Sequence, residues 1–501
     1  MKASELFYGT DISYSFDDIS FCGVASDSRR VKKGFLFICQ RGTRHDGHYH
    51  SLEAIKNGAA VVLADHYIDG IPKERIALTS DTRVAESQVW NNYTGRPADK
   101  MTKIAITGTA GKTSVAFALR HIFSAAGHKV GLISTVRTLA GSKEMQLGEN
   151  GGSSVSDLHG AMTTPDPEYF FTAIAGMRDS GCDTLVYEAS SQSILFRKTS
   201  AISPDVAIFT NLSPEHLDCH GDMESYFRTK ASLMDDAKTA VINIDDPWMA
   251  KLTEMYPDTK TVRCTARYSR VADSDVCALR YLSHGADGIE YVYFSEQAVF
   301  RIRTQVSGRY SVYNTMEAAS CAISLGIDPM TVKEALSDFR GVDGRLQRID
   351  IPTDCGFSVF IDYAHTPESV GKVTETAREF TEGRLITLFG CGGDRDKVKR
   401  PEMTRMAQKT SDYIIITSDN PRNEDSNEII GDMLRGLGER KNHTIIPDRR
   451  EAIRYAVSIA EAGDVILLLG KGHEKYEILS DGKHPFDEEA IVIEAIKDRF
   501  K

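Results

Sequence analysis

The sequence predicts an α/β protein of three domains, and three observations predict it. Its 501 residues, at about 150 per domain, allow roughly three such units. Short apolar strands alternate with helical stretches along most of the chain, the pattern of mostly parallel sheets covered on both faces. The pattern breaks near residues 98 and 343. We therefore expect a small N-terminal α/β domain (1–98), a central domain with a P-loop-type turn and a mostly parallel sheet (99–343), and a C-terminal Rossmann-like doubly wound domain (344–501).

In the first domain, residues 34–39 and 59–64 read as strands and 50–57 as a helix, before the turn-rich stretch Tyr93-Thr94-Gly95-Arg96-Pro97. The second opens with an apolar strand, 103–107, followed by a Gly-rich turn and a helix from 112 to 126 that Gly127 breaks. Further strands are expected at 184–188, 206–210 and 240–243, and the alternating pattern over 261–305 predicts an antiparallel appendage. The third repeats the α/β logic, with strands at 357–361, 385–389, 413–417 and 465–469 and helices at 367–380, 428–436 and 450–461.

Composition narrows the function classes. With 41% hydrophobic and 26% charged residues and only 15 prolines, the chain is neither disordered nor fibrous. A net charge of −11 argues against a generic nucleic-acid or anionic-membrane binder, although a small anionic ligand reads local charge. No apolar run approaches the ~20 residues of a membrane span, and the N-terminus lacks a signal-peptide core. Nine scattered cysteines without a Cys-x-x-Cys pair read as reduced thiols. These features predict a cytoplasmic protein with no membrane insertion and no nucleic-acid partner.

The chemistry should lie just beyond the carboxyl ends of the strands. Strand 103–107 runs into Gly108-Thr109-Ala110-Gly111-Lys112-Thr113-Ser114 and a helix. The glycines let backbone N–H groups curl around a phosphate, Lys112 adds charge, and the Thr113 hydroxyl suits Mg²⁺. The alternative is an ordinary strand–helix turn, because Ile106 stands where the longer motif has its first glycine. Glu188 ends an apolar strand, where it is either a metal ligand or a surface carboxylate. The loop from Asn211 to Gly221 carries His216, Asp218 and His220, without the partners that finger-type zinc spacing requires. In the third domain four polar or Gly-rich loops follow strands: Asp362–Pro367, Gly390–Asp396, Ser418–Arg422 and Gly470–Glu474. Together they build one wall of a cleft.

These motifs, with Asp27-Ser28-Arg29, Val31-Lys32-Lys33-Gly34, Thr163-Thr164-Pro165-Asp166 and Val342-Asp343-Gly344-Arg345, make the chain similar to the Mur ligases of peptidoglycan synthesis over nearly its whole length. The resemblance implies an ATP-dependent amide ligase. ATP phosphorylates a substrate carboxylate, an incoming amine attacks the acyl phosphate, and phosphate leaves. A carboxylate is a poor electrophile, so the protein's task is to bring anions together and neutralise them.

By this resemblance Gly108, Thr109, Ala110, Gly111, Lys112, Thr113, Ser114, Asn314, Arg345 and Asp362 bind ATP, with His365 near the nucleotide. Thr113, Glu188, His216 and a carbamylated Lys230 serve Mg²⁺, and Lys112, Glu188, His216 and Lys230 form the catalytic set. From its position alone Lys230 is a helical lysine. Ser28, Thr43, Arg44, His45, Thr163, Thr164 and Ser190 meet a UDP-N-acetylmuramoyl dipeptide, with Arg197 or Lys198. Arg395, Asp419, Asn420, Pro421, Arg422, Gly470 and Glu474 receive the amino acid. Arg422 in this motif points to meso-diaminopimelate, whose extra carboxylate an arginine fork matches; a salt bridge to a neighbouring Asp is the other reading of Arg422. The protein is expected to act as a monomer.

The chain departs from the family pattern at three points. Ala110 replaces an Asn and Ser114 a second Thr, Gln192 follows Ser190-Ser191 where His is usual, and the segment to Arg197-Lys198 is one residue short. None removes a phosphate or metal ligand. The alternatives are a lysine-adding ligase, a folate polyglutamylating ligase, which the N-terminal domain disfavours, and a catalytically silent nucleotide-binding paralogue.

Overall fold

A computed structural model describes residues 1–42, 46–145, 163–215, 217–351, 355–439 and 442–501. It divides into two compact units, Met1–Arg263 and Cys264–Lys501. The boundary expected after residue 98 falls inside the first, and that after 343 inside the second.

The first unit begins with a parallel four-stranded sheet in the order β1 (Gly23–Ala25), β2 (Phe35–Ile38), β3 (Ala59–Ala64), β4 (Ile76–Leu78). The expected helix 50–57 forms as Ser51–Lys56. A helix that the pattern did not announce, Thr82–Tyr93, starts where the Asp81 side chain accepts the Arg83 N–H, a capping arrangement that satisfies an otherwise orphaned donor. Its buried face, Ala85, Val89 and Trp90, joins the core.

The larger sheet of this unit is built around β5 (Thr102–Thr107), with β9 (Thr184–Glu188) on one side and β10 (Val206–Phe209) on the other. Beyond β9 come β6 (Val130–Ile133), β7 (Thr138–Ala140) and β8 (Lys143–Glu144); beyond β10 comes β11 (Thr239–Asn243). Pairing is parallel except at β7 and β8. Ile104, Ala105 and Ile106 are all 0% exposed, which is why β5 reads as a continuous apolar run rather than an alternating one. The helix Lys112–Ala125 covers one face with Val115, Leu119 and Ile122.

Strand β12 (Lys260–Thr265) straddles the division. Here the expected antiparallel appendage needs correction, because β12 pairs in parallel with β13 (Val276–Ser283). The connection through the short helix Tyr268–Asp273 is a crossover rather than a hairpin, so the strands run the same way. Strands β13, β14 (Ile289–Ser295) and β15 (Val299–Thr304) do form the antiparallel meander.

The rest of the second unit is a doubly wound sheet in the order β16 (Gln347–Arg348), β17 (Ser358–Asp362), β21 (Val465–Leu469), β18 (Leu385–Phe389), β19 (Tyr413–Ile416), β20 (His443–Ile445). Only β16 is antiparallel. The helices Pro367–Phe380, Ser426–Leu434 and Arg449–Ile459 match expectation within two residues, while Lys399–Thr410, Glu488–Arg499 and the hairpin β22 (Tyr476–Leu479)–β23 (Gly482–Pro485) are additional. All nine cysteines are free thiols, and among the described residues no helix is long and apolar enough to cross a membrane.

Candidate active site

Because β5, β9 and β10 are parallel and in register, they deliver Gly108, Glu188 and Thr210 to one sheet edge. The turn after β5 requires its glycines. Gly108 has φ 146°, and a Cβ there would lie 1.9 Å from Thr210 Oγ1; Gly111, with φ 88°, caps the helix Lys112–Ala125. The segment after β10 scaffolds the turn. Thr210 Oγ1 donates to Ala110 O at 2.7 Å, Asn211 Nδ2 donates to the same oxygen at 3.0 Å, and the Ala110 and Thr109 N–H groups donate to Asn211 Oδ1 and O at 3.0 and 2.8 Å. Ala110, one of the departures, is thus held through its peptide groups.

Two lysines converge on this turn. Lys112 Nζ donates to Gly108 O and Thr109 O, both at 2.9 Å. Lys230 Nζ donates to Gly108 O at 2.9 Å and stands 4.9 Å from the centre of the Tyr226 ring. The helix Met223–Ala231 carries Tyr226 and Lys230 on one face, and its start is fixed by Asp222 Oδ1, which accepts the Ser225 N–H at 2.7 Å. Lys230 is 1% exposed, so it is no ordinary surface lysine. Burial, with the charge of Lys112 adding to it, holds its pKa well below the usual lysine value.

Glu188 is 0% exposed, which removes the surface-carboxylate reading. Its Oε1 and Oε2 each accept one hydrogen bond from Thr135, from the backbone N–H and from Oγ1, both at 3.0 Å. Each oxygen keeps a lone pair for a hard cation. Thr113 is buried. His216 lies outside the described residues.

On the far side of β9, Thr164 Oγ1 donates to Glu188 O at 2.7 Å and accepts the Ser190 N–H at 3.1 Å, and Ser190 caps the helix Ser191–Leu195. Gly108, Lys112, Thr163, Thr164, Ser190, Ser191, Gln192, Lys198, Glu215, Tyr226 and Lys230 line one cleft. Of the two cationic side chains left open by the sequence, Lys198 lines it, paired with Asp166 at 2.7 Å, whereas Arg197 is exposed with φ 55°. Gln192 lies 3.4 Å from Cys219 Sγ. Ser28 is buried and donates to Glu53 Oε2 at 2.7 Å. Thr43, Arg44 and His45 lie outside the described residues.

The second unit gathers its own set. Parallel pairing aligns the carboxyl ends of β17, β21, β18 and β19, so the four loops share an edge. Asn420 is the hub. Its Oδ1 accepts from Lys471 Nζ at 3.1 Å and from the Ile478 N–H at 2.9 Å, and its Nδ2 donates to Glu474 Oε2 at 2.9 Å. Burial raises the Glu474 pKa and lowers that of Lys471, whose Nζ is 3.5 Å from Asp419 Oδ1. Gly470, with φ 112°, would bring a Cβ to 3.1 Å from Asp419. Pro421 is buried, and Arg422, at φ 54°, donates through Nη1 to Gly393 O at 2.8 Å; among the described residues it makes no ion pair with a carboxylate. Arg395 is exposed. Asp362 accepts the Leu346 and Ala364 N–H groups at 2.7 and 2.8 Å, and burial raises its pKa despite the charge of Arg345. Arg345 stacks 5.5 Å from the Tyr363 ring centre, His365 Nδ1 lies 2.8 Å from Tyr363 O, and Asn314 is half-buried on the helix Tyr310–Ser324.

Sequence reasoning missed Thr135, Tyr226, Lys471 and Arg449. The four-residue spacing of Tyr226 and Lys230 was a usable signal for one of them. Arg449 had none, since its partners Ser418 O, Leu469 O and Glu488 are 20 or more residues away.

Comparison with known proteins follows the same segments. Family models described as "Mur ligase family, catalytic domain", "Mur ligase middle domain" and "Mur ligase, glutamate ligase domain" match residues 20–106, 106–322 and 344–472. A UDP-N-acetylmuramoyl-L-alanyl-D-glutamate–2,6-diaminopimelate ligase of Syntrophomonas wolfei is 37% identical over 97% of this chain and 96% of its own. A protein of the same name from Clostridium botulinum is 38% identical over 94% of each. A solved structure with that title superposes with a TM-score of 0.70 at 27% identity, covering 100% of this chain and 99% of its own.

Proposed function

The chain belongs to the Mur ligase family, and from that premise we infer that it is the cytoplasmic, ATP-dependent ligase that joins meso-2,6-diaminopimelate to the D-glutamate carboxylate of UDP-N-acetylmuramoyl-L-alanyl-D-glutamate during peptidoglycan synthesis. It acts as a monomer of three functional domains, 1–98, 99–343 and 344–501. The observation that carries the reading is the convergence of Lys112, Lys198 and Lys230 on one cleft at the glycine turn. Two cations, Lys112 and Lys198, sharing a concavity with the Lys230 amine suit a triphosphate lying beside a second anion.

In this reading the peptide groups of the turn and Lys112 bind the phosphates and steady the transferring phosphoryl group. Thr163, Thr164, Ser190 and Lys198 hold the dipeptide end so that its carboxylate faces the phosphate, while Ser28 and residues 43–45 take the UDP end. Thr113, Glu188, His216 and carbamylated Lys230 would hold Mg²⁺, whose two charges would offset the negative charge gathering on the oxygens in flight. Lys230 suits carbamylation because its depressed pKa keeps the amine neutral and nucleophilic. The nitrogen attacks CO₂, releases a proton, and becomes a carbamate anion.

In the second unit, Asn314, Arg345, Asp362 and His365 are the residues that the family resemblance assigns to the nucleotide. There Asp419, Asn420, Gly470 and Glu474 would receive the amino end of diaminopimelate, and Arg422 and Arg395 its distal carboxylate. The test is an amino-acid panel assayed for ADP release with the UDP-linked dipeptide. Turnover with meso-diaminopimelate and not with L-lysine is expected. Equal use of lysine overturns the assignment of Arg422, and nucleotide binding without turnover overturns the ligase.

A further inference from the structure

A second cluster of chemistry-bearing side chains lies in the first unit, at the base of the segment that follows β2. His48, His66 and Asp65 each offer a ligand atom, and these three atoms all lie within 4.8 Å of one another. His48 sits in the short helix Gly47–His50, and Asp65 and His66 directly follow β3. The two imidazole rings stack with centroids 4.7 Å apart and planes inclined by 23°.

The hydrogen bonding of His48 fixes its chemistry. Its Nδ1 lies 2.5 Å from Asp46 Oδ1, a carboxylate that takes the ring N–H and leaves a lone pair on Nε2. The proton is assigned here from that network. Nε2 belongs to a residue only 7% exposed, makes no hydrogen bond among the described residues, and lies 3.2 Å from Asp65 Oδ1. His66 Nδ1 lies 2.5 Å from that same oxygen. With the ring proton on Nδ1, the Nε2 lone pair faces Asp65 Oδ1, an arrangement relieved by a cation between them, either a metal ion or a proton on Nε2.

We propose that His48 Nε2, His66 Nδ1 and Asp65 form a site for a divalent transition metal of the zinc type. Two imidazoles and one carboxylate are a zinc donor set that leaves the fourth tetrahedral position for water. Ligand atoms about 2.0–2.1 Å from zinc stand about 3.4 Å apart, close to the 3.2 Å between His48 Nε2 and Asp65 Oδ1; the 2.5 Å hydrogen bond from His66 Nδ1 to that oxygen has to open when the metal enters. Asp46 completes the arrangement from behind, as carboxylates commonly do for metal-bound histidines. Arg41 Nη2, 3.1 Å from Asp65 Oδ2 and 3.3 Å from Oδ1, orients the carboxylate. The metal would tie the end of β3 to the segment after β2. This proposal does not rest on the ligase reading.

The test is zinc uptake by the metal-stripped full-length protein, by equilibrium dialysis and elemental analysis, with cobalt(II) absorption reporting imidazole ligation. The glycine turn also takes divalent ions, so the decisive readout is a difference between variants. His66→Ala and Asp65→Asn should each bind one zinc fewer per chain than the wild type at micromolar zinc, and zinc should raise the Tm of the wild type by more than it raises theirs. Asp46→Asn keeps all three ligands, so it covers a failure of the others to fold; its affinity at this site should fall about 10-fold or more. Equal zinc content and equal affinity in wild type and variants overturn the site.

Discussion

The two units hold their inward-facing lysines and arginines differently. At the glycine turn, Lys112 and Lys230 donate to the peptide oxygens of Gly108 and Thr109. In the second unit Arg400 bonds Glu424 and Asp432, Arg449 bonds Glu488, and Lys471 stands beside Asp419. A carbonyl oxygen orients a cation without cancelling its charge, whereas a carboxylate neutralises it. Each unit has exceptions, Lys103 beside Asp205 in the first and Lys399 on His365 O in the second among them. Lys198 pairs with Asp166, and Arg422 donates to Gly393 O. Set beside the proposed roles, the comparison separates cations kept for an anionic ligand from cations that build the scaffold.

The largest expected effect breaks the comparison at one of its second-unit exceptions. Arg422→Ala should lower kcat/KM for meso-diaminopimelate by about 10⁴-fold, the scale on which a site built for a polar partner discriminates. An unchanged ratio of diaminopimelate to lysine use would show that Arg422 is scaffold after all. Next comes Lys112→Ala, expected to cost about 10³-fold in ADP release, because the transferring phosphoryl group loses a cation preorganised in a sheltered site. Near-normal turnover contradicts the mechanism.

A scaffold cation should behave otherwise. Arg449 and Glu488 are both almost fully buried, and Arg449 also donates to Ser418 O and Leu469 O. Arg449→Met should destabilise the second unit by about 3–5 kcal/mol, since it strands a buried carboxylate. Urea unfolding monitors this, and a loss below about 1 kcal/mol would contradict the scaffold role.

A change spread over pH rather than seen at one condition concerns a buried carboxylate without a matching cation. Glu86, on the helix Thr82–Tyr93, accepts from Ser26 and Gln40, yet burial pushes its pKa up to about 8. Its folded pKa lies above the unfolded value, so the folded state binds the extra proton between about 4.5 and about 8. Stability should therefore fall as pH rises through that window. Glu86→Gln should flatten the slope in denaturation midpoints measured across it, and an identical slope would place the titrating group elsewhere.

Much of this was legible before the structure. The run Lys103–Thr107, the glycines at 108 and 111 and the lysine after them are a local pattern, and local patterns survive in sequence. The loops after β17, β18, β19 and β21 were legible for the same reason. Lys230 was named by resemblance, but its burial was not legible, because it depends on Tyr226 and on a turn more than a hundred residues away. The helix Lys399–Thr410 was hidden by polarity: Arg400 sits in its buried face, where apolar periodicity would have announced it. Strand β12 misled because alternation reports a half-buried strand and not the direction of its neighbour.

A Cβ on Gly393 would come within 1.9 Å of Pro421 O, and the Gly393 oxygen is the acceptor for Arg422. The loops 390–396 and 419–422 therefore form one interlocked element drawn from two distant stretches of chain. Anyone transplanting a different amino-acid preference into this scaffold would have to move both pieces together, because either alone would arrive without the surface that shapes it.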